Sequence, residues 1–456
     1  MKKIMALLIL ALTAACSLTP AYQRPALKVP DQWREGKAVR TDLTDWWFHF
    51  KSPELIDLEG KALKQNLDLR AARARIDQAK ASEKIVNSVF FPQADLAGGF
   101  TGNLKKVGGG SISYTPGVSA SVDVSYELDL FGANRASSEA AHANFVSSLF
   151  DREALMLVIS SEVAQTYADV LALKGRIYVA QQNRDLVKKT LDILQVRFKA
   201  GAIAALDVEQ EKTELSNADA SISALENNLT VAMDALAVLM GEAPQTFKIS
   251  ASSLGELEVP SIAPGQPSEL LQRRPDIHKA EADLIAANAD IGVARAAFFP
   301  SVNLGIVPSI TASPLANPAT TALSLVSSLS APLFRGGSLE GGVELSEARK
   351  SELAENYRHT VLTAFQEVED ALAATKAAEK RRKSYTDAVR SADKAYTLAY
   401  QQFKAGAVDY LTLLVSERSL LTAKDNLVSA NLDRLTAVVA LYKALGGGWR
   451  ANLSGL

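Results

Sequence analysis

The chain has 456 residues, with 49 lysines and arginines against 51 aspartates and glutamates and one cysteine. That near balance leaves no basic surplus to neutralise a phosphate backbone, which speaks against nucleic-acid binding, and a lone cysteine cannot form an internal disulfide. The length suits either two or three ordinary domains or one fold built from very long elements.

The amino terminus carries Lys2 and Lys3, an apolar run from Ile4 to Leu12, and then Thr13, Ala14 and Ala15. This pattern predicts a signal peptide over 1–15, too short to cross a bilayer as a helix. Cys16 follows directly, and the stretch LTAAC resembles a bacterial lipoprotein signal, with Thr13 where such signals usually carry leucine. The resemblance implies that Cys16 is lipidated, palmitate included, and becomes the first mature residue. The alternative is a plain secretory signal with an incidental cysteine. Ser17 rather than aspartate implies sorting to the outer membrane, where several acyl chains hold far more firmly than one. Residues 16–55 read as a lipidated, extended segment.

Beyond it the chain repeats, with 56–250 as one unit and 251–456 as the next. FFP occurs at Phe90 to Pro92 and at Phe298 to Pro300, LF at Leu130–Phe131 and at Leu333–Phe334, and FKAGA at Phe198 to Ala202 and at Phe403 to Ala407. Each unit reads as helix, FFP, two strands, LF, long helix, FKAGA, long helix. No proline lies between Pro116 and Pro244 or after Pro332, and both stretches are rich in good helix formers. Val208, Leu215, Ile222, Leu229 and Leu236 recur every seven residues, as do Leu414, Leu421, Val428, Leu435 and Tyr442, which predicts coiled-coil-like packing. From Asn134 to Lys199 only Gly175 interrupts the helical pattern, giving roughly 100 Å of helix.

Hairpins are predicted at about 93–130 and 301–333. Val118, Ala120, Val122, Val124, Tyr126, Leu128 and Leu130 alternate with Ser119, Ser121, Asp123, Ser125 and Glu127. In the second unit Val302, Leu304 and Ile306, then Leu323, Leu325, Leu329, Ala331 and Leu333, alternate in the same manner, mainly with serines in the last strand. About ten tilted residues cover the apolar band of an outer-membrane barrel, which puts Val124 and Leu325 against lipid and Ser125 in the lumen. Phe90, Phe91, Phe131, Phe298, Phe299 and Phe334 stand at the feet of the hairpins, as an interfacial girdle would. The competing reading is an amphipathic sheet on a soluble core. Four strands cannot close a membrane barrel, and open edges in lipid leave backbone groups unpaired, so several chains must share one barrel.

These residues resemble the TolC family of outer-membrane channels, in its lipoprotein branch of OprM-like and NodT-like proteins. DWWFHFKSPEL from Asp45, ALKQNLDLRAARARI from Ala62 and LLQRRPDIHKAEADLIAANADIGVARAAFFP from Leu270 carry the likeness over nearly the whole mature chain. The last segment reads as structural, with Pro275 in a first helical turn, Asp276 suiting the helix dipole and Pro300 ending the helix; Arg273, Arg274 and Asp276 are given no catalytic role. The resemblance implies a mainly α fold with a transmembrane β-barrel: a homotrimer with a shared twelve-strand barrel in outer-membrane lipids and a long periplasmic α-helical barrel. It also implies that the turns near 198–207 and 403–412 are periplasmic tips. An adaptor protein would dock there, at Gly201, Ala202, Gly406 and Ala407, where glycine permits the chain to reverse.

The family often carries an aspartate in an LLDAQR-like segment after the second tip, whereas this chain reads LLVSER with Val415 at that place. Asp207, Asp409 and Glu417 are the acids nearby, and threefold symmetry would make any of them a charged ring at a pore gate. The alternative for each is an ordinary solvated carboxylate at a helix end.

No GxxxxGK[ST] or HExxH occurs, and His49, His142, His278 and His359 are scattered singly, so neither a nucleotide, a metal nor another cofactor is expected, and no catalytic residue is assigned. Only Met156, Met233 and Met240 follow the signal, too few for methionine ladders that hold copper(I). The KRRK run at Lys380 to Lys383 reads as a solvated helix face. The expected function is passive conduction of small toxic compounds, energised by a proton-driven inner-membrane transporter of the RND type through the adaptor. The alternatives are a duct for ATP-driven protein secretion and, from another class, a structural coiled-coil lipoprotein spacer.

Overall fold

A computed structural model of the chain describes residues 17–35, 43–106, 108–313, 316–447 and 449. The signal peptide and Cys16 lie outside the described residues. The helices are α1 (Pro53–Gln65), α2 (Leu67–Asn87), α3 (Ala133–Lys199), α4 (Ala205–Leu239), α5 (Pro275–Ala296), α6 (Ser338–Lys404) and α7 (Tyr410–Ala444). The strands are β1 (Gln93–Lys106), β2 (Ile112–Leu128), β3 (Ser301–Ser313) and β4 (Ala316–Ser330). Helices α3 and α6 have 67 residues each and α4 and α7 have 35 each. At 1.5 Å per residue these are about 100 Å and about 50 Å long.

Gly175 does not interrupt α3. A Cβ there would sit 3.5 Å from Val428 on α7, so the glycine marks a close helix approach. Its helix-propensity cost of about 1 kcal/mol is outweighed by 67 residues of continuous backbone bonding. The seven-residue stripes face inward as expected, with Val208, Ile222, Leu236, Leu414, Leu435 and Tyr442 buried. Pro300 does not end α5, whose last residue is Ala296. Phe298 and Phe299 donate to the carbonyls of Arg295 and Ala296 at 3.3 and 3.0 Å, tightening the chain into a turn before the proline.

Tertiary contacts sort the chain into two units that cut across the sequence repeats. One takes Ala74–Phe150 and Ile277–Thr360 with the described part of Met1–Leu27; the other takes Lys28–Arg73, Asp151–Asp276 and the described part of Val361–Leu456. In the first, the segment after Cys16 lies along α5. Arg24 makes a two-pronged pair with Glu281 at 2.7 and 2.6 Å, and Asn288 donates to the Pro20 carbonyl at 2.8 Å. Gly292 admits this segment, since a Cβ there would fall 3.0 Å from the Thr19 Cα.

The second unit is organised around buried aromatic rings and helix caps. Trp46 stacks on Tyr442 with centroids 5.1 Å apart and is fully buried with Phe50. Ser52 caps α1 by accepting from the Leu55 amide at 3.2 Å. The Asn66 side chain accepts from the amides of Asp68 and Leu69 and donates to the Leu239 carbonyl at 3.0 Å, so one amide caps α2 and holds the end of α4. Arg274, buried, grips Asp276 at 3.0 and 2.7 Å, Glu367 at 2.6 Å and the Ala444 carbonyl at 2.9 Å. Burial alone would disfavour its charge, but the two carboxylates prevail and hold its pKa above the ordinary arginine value.

Candidate functional site

The four strands form one antiparallel sheet in the order β1-β2-β3-β4. Its register fixes which residues share a face. Leu96 pairs with Val122, Phe100 with Val118 and Leu104 with Tyr114; Val124 pairs with Ile306, and Ile306 with Leu325. One face therefore carries Leu96, Phe100, Leu104, Val118, Val122, Val124, Leu304, Ile306, Ile310, Leu323, Leu325 and Leu329. Most of these side chains are exposed, and Leu325 retains 77% of its accessible surface. The opposite face carries Asp95, Thr101, Asn103, Ser119, Ser121, Asp123, Ser125, Glu127, Asn303, Ser309 and Ser328 by the same register. A soluble sheet would bury its apolar face, whereas here it is left bare, as lipid contact requires.

Part of this face is not visible in the sequence pattern. Apolar residues of β1 are separated by Gly98 and Gly102, which weaken the alternation. Gly102 is covered by the Tyr114 ring, 2.9 Å from where a Cβ would stand. The strands, 13 to 17 residues long, also exceed the roughly ten expected. At the hairpin end, Lys105 and Lys106 lead toward the turn at Gly108.

At the opposite end stand the phenylalanines. Phe91, Phe298 and Phe334 are exposed, and Phe90 is half-buried. Phe131 instead stacks on Phe299 with centroids 4.7 Å apart, joining the foot of β2 to the foot of β3. Beside them Asp129 accepts from the amides of Asn134 and Arg135 at 3.2 and 3.0 Å and caps α3 as it leaves the sheet.

The helix turns come next. Gly201 has φ 72° and Gly406 has φ 73°, the left-handed conformation that glycine adopts without steric cost. At the first turn the Ala202 amide reaches the Arg197 carbonyl and the Gly201 amide reaches that of Phe198, both at 2.9 Å. At the second, the Ala407 amide reaches the Gln402 carbonyl at 2.9 Å and the Gly406 amide that of Phe403 at 3.0 Å. Both are Schellman endings of the same geometry, one repeat apart. The two turns are tied together, because the Arg197 guanidinium lies 4.4 Å over the Phe403 ring and donates to the carbonyls of Phe403 and Lys404 at 3.0 Å each.

The three candidate acids fall into different surroundings. Asp409 is exposed and caps α7, accepting from the Thr412 amide at 2.9 Å and the Thr412 hydroxyl at 2.7 Å, which lowers its pKa. Asp207 lies half-buried in the first turn of α4. Glu417 is neither solvated nor at a helix end: it is 3% exposed and both its carboxylate oxygens lack a partner among the described residues. The solvated-carboxylate reading is thus corrected for Glu417, which packs inside the helix layer because it sits three positions after the buried Leu414, on the same inward stripe. Glu211, which was not among the candidate acids, repeats this arrangement three positions after the buried Val208. An acid on an otherwise apolar heptad stripe is the signal that points to both.

Comparison with known proteins follows the same division into repeats. The family description "Outer membrane efflux protein" matches residues 58–242 and again 266–447. The chain is 36% identical to the pyoverdine export outer membrane protein OpmQ of Pseudomonas aeruginosa, over 98% of this chain and 96% of that protein. It is 33% identical to the toluene efflux pump outer membrane protein TtgC of Pseudomonas putida, over 97% and 96%. Its fold superposes on the open-state crystal structure of the MtrE outer membrane channel of Neisseria gonorrhoeae with a TM-score of 0.83 and 29% identity, covering 95% of this chain and 98% of that one.

Proposed function

The chain belongs to the outer membrane efflux protein family, whose members are channels rather than enzymes, and on that premise we propose that it is one of three identical protomers of an exit duct. It is an outer-membrane efflux component of the TolC-like fold, mainly α with a β-barrel domain. The sheet with its bare apolar face carries the reading. Strands β1 and β4 are its edges, each with a row of unpaired backbone groups. In lipid each unpaired group costs several kcal/mol, so β4 of one copy pairs with β1 of the next, and three copies close a twelve-strand barrel.

Cys16 carries acyl chains that add a second hold on the membrane. The turns at Gly201, Ala202, Gly406 and Ala407 receive the periplasmic adaptor, and an RND-type inner-membrane transporter supplies the energy. The duct conducts drugs or other small toxic compounds passively. Asp207 and Asp409 stand at the pore-side tips as candidate gate charges. Glu417 works from inside the helix packing. A polar face of serines, asparagines and scattered carboxylates fits a duct whose cargo is chosen elsewhere, in keeping with relatives named for cargoes as different as pyoverdine and toluene.

Deleting the chain from its cell should raise intracellular accumulation of a fluorescent efflux dye, and re-expression should restore export only when the adaptor and transporter are present. Restoration in their absence would contradict the tripartite reading.

A further inference from the structure

Between α4 and α7, beside the tip cluster of Leu194, Val208, Phe403, Tyr410 and Leu413, two carboxyl groups lie in apolar packing. Glu211 is fully buried; one of its oxygens accepts from the Tyr410 hydroxyl, and the other has no partner among the described residues. Glu417, on the facing helix, has no partner for either oxygen among the described residues. The charges around them are engaged elsewhere. From α3, Arg197 is committed to the Phe403 ring and the carbonyls beside it; from α6, Lys404 lies over the Tyr400 ring and Tyr396 faces both acids. Arg418 of α7 pairs with Glu214 of α4, and both side chains stay nearer the surface than the two acids. Arg418 acts on Glu211 only from a distance, so among the described residues no cation forms an ion pair with Glu211 or Glu417. An ionised carboxylate with a single hydroxyl donor, as at Glu211, or with none, as at Glu417, is costly in such surroundings, whereas a neutral carboxylic acid is tolerated.

We propose that Glu211 and Glu417 are a proton-binding pair that latches the tips: protonated, they let α4 and α7 pack as seen, and on losing their protons they loosen that packing. The proposal rests on the tips being the gate. Burial pushes Glu417 up to about 8, with the charges of Glu211 and Glu214 adding to it, and pushes Glu211 up to about 7 despite the Tyr410 hydrogen bond. Both values lie above the ordinary glutamate value of 4.5, so the packed tip holds protons that the loosened tip releases. The latch is at full strength below about 4.5 and weakens as pH rises through 7 to 8.

The test uses the full-length protein in lipid nanodiscs, followed by hydrogen exchange at about pH 6 and about pH 8.5 after correction for intrinsic rates. Peptides spanning 191–215 and 396–420 should exchange about tenfold faster at the higher pH, while the strands stay unchanged. In Glu211→Gln/Glu417→Gln, an isosteric neutral variant, the ratio should fall to about one, and each single variant should lie between. An undiminished pH response in the double variant overturns the proposal, as does an absent response in the native protein. Bilayer recordings separate the two readings: exchange that tracks pH with conductance that does not would keep the proton pair and reject the tips as the gate.

Discussion

Arg274 ties three elements with one guanidinium, since Asp276 begins α5, Glu367 lies in α6 and the Ala444 carbonyl ends α7. The proline and the acid of the LLQRRPDI segment mark it as structural, and these contacts give the reason for its second arginine. Arg274→Met should lower thermal stability by about 2 to 4 kcal/mol, because it leaves Glu367 and the α7 carbonyl without their donor. Lysine at this place should recover only part of that loss, having no planar fork to hold Asp276 in two prongs. Thermal melts of the purified variants check both. At Asp409 the prediction runs the other way: asparagine is as good a cap as aspartate, so Asp409→Asn should leave assembly intact. Bilayer recordings of that variant should show weaker cation preference, and unchanged selectivity would reduce Asp409 to a cap. Cys16→Ser should abolish lipoprotein processing and acylation, read by mass spectrometry of the mature terminus, while the sheet still anchors the protein.

Among elements, the long helices were legible because absence of proline and a seven-residue stripe both act locally along the chain. The strands were legible on β2, where valines alternate with serines, and poorly legible on β1, where Gly98 and Gly102 take apolar positions and the Tyr114 ring from the neighbouring strand supplies the missing bulk over Gly102. No reading of β1 alone reveals that cover. The helix turns were legible from the repeated FKAGA, yet the tie from Arg197 to Phe403 was not, since it joins residues 206 apart. Two predictions belong here. Val124→Arg should impair assembly, with an arginine in mid-band costing about 2 to 4 kcal/mol, while Ser125→Arg should assemble and lower conductance; equal assembly on native gels would mean the faces are inverted. Gly406→Leu meets open space but keeps a positive φ, so its cost is backbone strain of about 1 to 2 kcal/mol. It should weaken export more than it weakens assembly.

At the scale of the whole molecule, the proposed sharing of one barrel by several copies rests on strand counting: four strands with a bare apolar face and two open edges do not stand alone in lipid. The buried acids at the tips were not legible in the same way, because an acid on a helix is ordinarily solvated and only the packing of α4 against α7 removes it from water. The same division separates duct from spacer: a spacer needs the helices alone, whereas a duct needs the sheet closed around water. Planar-bilayer recording of the purified, full-length protein tests this most directly. A closed barrel should give discrete, long-lived conductance steps that are lost in Val124→Arg and reduced in Ser125→Arg. Purified native trimer that inserts into the bilayer yet passes no current at any pH would contradict it.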